Sequence, residues 1–118
     1  MAASLVVSSA DDGELTWVLL AANGRPLARS ANVYRSDEAL DAAWRELVAD
    51  RDALSIRLGR DGPDWWWTAT LPVRVVGAGM SAGRVVARSA RGYLRPDQCR
   101  GGAIGFRNAL SGYARRGR

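Results

Sequence analysis

The chain has 118 residues and a formal net charge of +5, and all 17 of its basic side chains are arginine. With no histidine and no lysine, Ser-His-Asp and Cys-His catalysis, imidazole metal sites, lysine Schiff bases and a Walker-type phosphate lysine are excluded. A single cysteine, Cys99, allows no internal disulfide, no apolar run is long enough to span a membrane, and residues 1–10 lack a signal-peptide pattern, so a cytoplasmic domain is expected.

In chain order, a short strand over residues 5–7 leads to an Asp12-Gly13 turn and a second strand over 15–21. Asn23-Gly24 makes the next tight turn, a third strand spans 25–31, and Tyr34 closes it. Ser36 is a good N-cap, Asp37 and Glu38 suit the first helical turn, and Leu40, Ala43, Trp44, Leu47 and Val48 form one apolar stripe. The order then recurs: a strand over 54–58, an Asp61-Gly62 turn, a strand over 65–71, a longer segment over 71–82, a strand over 84–90 and Tyr93. A second helix starts at Pro96 with Asp97 in its first turn and the stripe Cys99, Ala103, Phe106 and Leu110. Gly101, Gly102 and Gly105 weaken it by about 1 kcal/mol each relative to alanine, a cost best tolerated where a helix lies very close to a sheet. Gly112 is a plausible stop, which leaves 113–118 as a basic, flexible tail.

The recurrence extends to residue identity. Gly24, Arg25, Ala28, Arg29, Ser30, Ala31 and Tyr34 reappear as Gly83, Arg84, Ala87, Arg88, Ser89, Ala90 and Tyr93, at a constant offset of 59. The reading is one α+β domain over 1–118, built by internal duplication of a βββα unit, with repeats over 4–52 and 53–112.

The first copy carries Ala21-Ala22-Asn23-Gly24, Ser30, Tyr34 and the Ser36 cap. The second carries Gly83, Ser89, Tyr93 and a helix with Cys99 and Gly102. This pattern resembles the DUF1508 or YegP-like family over roughly residues 4–110. The resemblance implies tandem βββα units sharing one antiparallel sheet with both helices packed on one face, sometimes as dimers. It implies no activity, no catalytic residue and no cofactor.

Alternation along the third strand of each copy puts Arg25 and Arg29, and likewise Arg84 and Arg88, on one face. The small residues on the other face suit close helix packing, so the arginines are expected on the open face of the sheet. There Arg57 and Trp66 would join them. Trp65, Trp67 and Trp44 are expected in the core. Residues 1–52 hold 5 arginines and 9 carboxylates, a balance of −4, whereas 53–118 hold 12 and 3, a balance of +9. A GC-rich genome alone would account for arginine in place of lysine. The asymmetry suits an anionic partner, with nucleic acid the commonest, or an acidic protein surface, including the acidic half of a second copy.

Two functional readings follow. One is a small non-enzymatic domain of unknown role that binds or self-assembles through its sheet, as a homodimer joined by its open face or an edge strand. The other is a nucleic-acid binder using Arg25, Arg29, Arg57, Trp66, Arg84 and Arg88, helped by Arg115, Arg116 and Arg118 in the tail. Asp11, Asp12, Glu14, Asp61 and Asp64 sit at hairpin turns, where aspartate is expected without a calcium ion. Cys99 lies on an apolar stripe, and residues 101–105 lack the Lys-Ser/Thr of a phosphate loop. No enzymatic constellation, metal, cofactor or membrane partner is expected.

Overall fold

The computed structural model describes residues 2–74 and 81–116. Residues 75–80, in the middle of the long segment expected over 71–82, lie outside the described residues, as does Arg118. The elements are β1 (Ser4–Ser9), β2 (Leu15–Leu20), β3 (Pro26–Ser30), α1 (Asp37–Ala49), a short 3-10 turn (Arg51–Ala53), β4 (Ser55–Asp61), β5 (Asp64–Arg74), β6 (Ser81–Ser89) and α2 (Pro96–Arg116). The strands form one sheet in the order β1-β2-β3-β6-β5-β4, every neighbour antiparallel. The α+β class and the shared sheet are therefore as expected.

β3 and β6 meet at the centre of the sheet. Arg29 faces Arg88, its match in the sequence repeat, while Ala28 faces Ser89 and Ser30 faces Ala87, so the flanking matched positions are exchanged across this seam. The described parts of the long segment over 71–82 continue the pairing of β5 with β6, with Leu71 opposite Arg84 and Arg74 opposite Ser81.

Alternation explains which face is covered. Trp17, Leu19, Ala28, Trp67, Ala69 and Ala87 point the same way and are buried, together with Leu40, Trp44 and Leu47 of α1 and Cys99, Phe106 and Leu110 of α2. Two aromatic contacts lock the layers. Trp17 meets Trp44 edge-to-face at 5.0 Å, and Trp67 stacks on Phe106 at 4.9 Å. Each such pair contributes about 1 kcal/mol beyond the area it buries.

Helix α1 begins as its sequence dictates: Ser36 Oγ accepts a hydrogen bond from the Ala39 amide at 3.1 Å. Helix α2 departs from expectation at its far end. It runs through Gly112 to Arg116, so described residues 113–116 are helix rather than tail. The reason is Tyr113, which extends the stripe of Phe106 and Leu110 by one turn and meets Trp44 edge-to-face at 5.2 Å. Arg115 and Arg116 stabilise that end by facing the negative pole of the helix. The glycines of α2 behave unequally. A Cβ on Gly102 would overlap the Tyr93 hydroxyl and lie 2.9 Å from Tyr93 Cζ, whereas one on Gly101 would meet open space.

Each half contains the same two irregularities. Leu19 pairs with Ala28 but Leu20 with Pro26, so Leu27 is an extra residue on β3. Ala69 pairs with Ala87 but Thr70 with Val85, so Val86 is an extra residue on β6. After β3 and β6 the chain leaves the ladder and rejoins it through isolated bridges, Leu15 to Tyr34 and Trp65 to Tyr93. In each gap a buried serine supplies the missing acceptor. The Trp17 amide donates to Ser30 Oγ at 3.2 Å, and the Trp67 amide donates to Ser89 Oγ at 3.3 Å. The serines and tyrosines of the repeat are therefore structural.

Candidate functional site

The uncovered face of the sheet is built from alternate residues of every strand. In the second half it carries Arg57 and Gly59 of β4, Trp66, Thr68 and Thr70 of β5, and Arg88 of β6, as their register shows. In the first half it carries Arg29 of β3 beside Val18 of β2. Arg29 and Arg57 are exposed, while Arg88 and Trp66 are half-buried. Arg29 and Arg88 stand directly opposite each other across the central seam. Like charges opposed in this way repel unless an anion lies between them. Among the described residues the ion pairs are Arg45–Asp41, Arg84–Glu46 and Arg95–Asp97, so Arg29, Arg57 and Arg88 have no carboxylate partner.

Two concavities flank this arginine pair. One, of about 400 Å³, is lined by Arg57, Gly59, Asp61, Trp66, Thr68 and Arg88, among others. The second, of about 380 Å³, includes Thr16, Val18, Arg29, Asn32, Val33 and Arg88 in its lining. Arg88 belongs to both, so they form one track across the sheet from β4 to β2. Four strand spacings make that track roughly 19 Å long.

The expected site residues divide into two groups. Arg29, Arg57, Trp66 and Arg88 come together on the open face. Arg84 does not. The extra residue Val86 reverses the alternation of β6, so Arg84 shares the helix-covered side with its partner Leu71 and pairs with Glu46 of α1. Val85 takes the open side and is exposed. Arg25 precedes β3 and lies in the turn after Ala21, where its amide donates to Asn23 Oδ1 at 3.0 Å. Arg115 and Arg116 end α2, in the helical layer. Arg116 donates to the Ala3 carbonyl at 3.2 Å and lies over the Tyr113 ring. Gly59 and Asp61 also line the track, although the sequence reading did not include them. Their spacing from Arg57 along β4, two and four residues, is the signal that places them there.

The remaining candidates have structural roles. Asp12 Oδ1 accepts from the Glu14 amide at 3.0 Å within its turn. Cys99 is fully buried, and burial pushes its thiol above the usual range. Among the described residues no three carboxylate or thiol side chains converge as a metal site would require.

A separate hollow of about 460 Å³ lies beneath α1, with Trp17, Tyr34, Ala43, Glu46 and Arg84 in its lining. The matching place under α2 has Gly102 and Gly105 where α1 has Ala43 and Glu46. There Tyr93 packs against Gly102, and Leu27 comes within 3.5 Å of where a Gly105 Cβ would lie.

A six-stranded antiparallel sheet with two helices on one face defines a YegP-like α+β fold. The comparison that shows this is with the solution NMR structure of yegP from Escherichia coli, a protein of unknown function. That structure superposes with a TM-score of 0.59 at 18% identity, over 94% of this chain and 88% of that one. No protein-family model and no curated protein matches the sequence. Among the described residues, no helix is long and apolar enough to cross a membrane.

Proposed function

We propose that this protein is a small non-enzymatic binding domain whose open sheet face takes single-stranded nucleic acid. One observation carries the reading: Arg29 and Arg88 oppose each other with no carboxylate partner among the described residues, beside a concavity that also holds Arg57 and Trp66. Guanidinium groups supply phosphate contacts, and a half-exposed indole supplies a stacking surface. An extended single strand suits a track about 19 Å long. Face-to-face dimerisation is disfavoured, since it would set Arg29 and Arg88 of one copy against those of another. Three phosphate contacts predict that log K falls with log salt at a slope of about −2. Fluorescence anisotropy of a labelled oligonucleotide across a salt series tests this, and a flat profile or no binding at low salt sinks the reading.

Self-pairing has a separate route. Strand β1 (Ser4–Ser9) lies at the sheet edge, has no charged residue, and exposes Val6 and Val7. Such edges add a strand from a partner. Homodimerisation through β1 predicts a concentration-dependent mass by sedimentation, abolished by Val6→Lys. A mass that stays monomeric at high concentration removes this route.

A further inference from the structure

We infer that the concavity beside Trp66 is a guanine-selective base site, an inference that rests on the single-strand reading above and assigns its specificity. Three features of the site converge on one base.

The first is a gap. Gly59 lies directly opposite Trp66 on the open face, and a Cβ there would meet nothing within 4 Å. The flank of the indole is therefore free for a flat ring. The second is a set of cations, Arg57 and Arg88 with Arg60 beside them. Arg57 and Arg88 line the same concavity and have no carboxylate partner among the described residues, so the phosphates on either side of a stacked base have contacts available. The third decides the base. Asp61 lines the concavity at the end of β4, yet among the described residues its carboxylate accepts no hydrogen bond and joins no ion pair. A carboxylate repels phosphate, so its presence in a phosphate-binding track has a cost unless it meets donors. Guanine is the base whose Watson–Crick edge offers two adjacent donors, N1–H and the N2 amino group, which match the two oxygens of one carboxylate. Adenine and cytosine each offer one amino donor beside a ring-nitrogen acceptor, which would face the carboxylate lone pairs.

The test uses the full chain at low salt and oligouridines of about eight nucleotides with one central guanine, adenine or cytosine. The guanine oligomer should bind about tenfold more tightly than the adenine or cytosine ones. Asp61→Asn should reduce that preference to about twofold or less, because asparagine turns one of the two acceptors into a donor. The all-uridine oligomer should bind Asp61→Asn at least as well as wild type, which also shows that the variant is folded. Gly59→Ile, which fills the gap, should weaken the guanine oligomer most. Equal binding of all three central bases by wild type overturns guanine selectivity and leaves the single-strand reading intact, as does Asp61→Asn that keeps the preference. Failure of every oligomer to bind overturns both.

Discussion

Ser30 and Ser89 are small polar residues buried in a hydrophobic layer, and each is there for one hydrogen bond. Ser30→Ala or Ser89→Ala leaves the Trp17 or Trp67 amide without its acceptor and should cost about 1–3 kcal/mol, measured by urea unfolding. The α2 glycines give a sharper contrast. Gly102→Ala drives a methyl into Tyr93, whose ring is pinned by the backbone bridge to Trp65, and should destabilise by about 1–3 kcal/mol. Gly101→Ala, one residue away, meets open space and should stabilise by up to about 1 kcal/mol. Burial also raises the Cys99 thiol and the Tyr93 phenol above their usual ranges, with Arg91 partly opposing the shift at Tyr93. The folded state therefore keeps both protons at pH values where the unfolded chain has released them. The stability they add is complete at neutral pH and lost as pH climbs beyond about 9. The urea midpoint should fall over that alkaline range, and Tyr93→Phe should flatten part of the fall.

At the scale of elements, a single extra residue changes the function assigned to an arginine. Val86 turns Arg84 from the open face to the helix side, where it pairs with Glu46. Arg88→Ala should therefore weaken nucleic-acid binding about tenfold at low salt, whereas Arg84→Ala should leave it within about twofold. The half-exposed Arg84–Glu46 pair contributes at most about 1 kcal/mol to stability, and less at high salt. This is also where sequence reasoning reached its limit. The strands, the Ser36 cap, the apolar stripes and the burial of Trp44 and Trp67 follow from local periodicity and were legible, whereas Trp65 is only partly buried at the margin of the core. Arg29, Arg57, Trp66 and Arg88 were placed correctly because strict alternation holds between each of them and a buried neighbour. Arg84 was misplaced because a bulge is set by how two strands pair, and no turn or proline marks Val86 in the sequence. The end of α2 was misread because Gly112 resembles a stop, although Tyr113 already continued the apolar stripe. Its partner Trp44 lies on the other helix, so the contact is visible only in the fold.

Over the whole molecule, the two layers divide the work. The helical layer holds the aromatic contacts, the buried thiol and the Arg84–Glu46 pair. The open sheet face holds Arg29, Arg57 and Arg88, which pair with no carboxylate among the described residues. Solution mapping can locate the surface that binds. The most direct measurement is a set of amide NMR spectra recorded while a short single-stranded oligonucleotide is titrated into the full chain at low salt. The account predicts that the shifted signals cluster at Arg29, Arg57, Trp66, Thr68 and Arg88, while those of α1 and α2 stay in place. Shifts centred on the hollow beneath α1 or on the end of α2, or spectra unchanged through the titration, would contradict it.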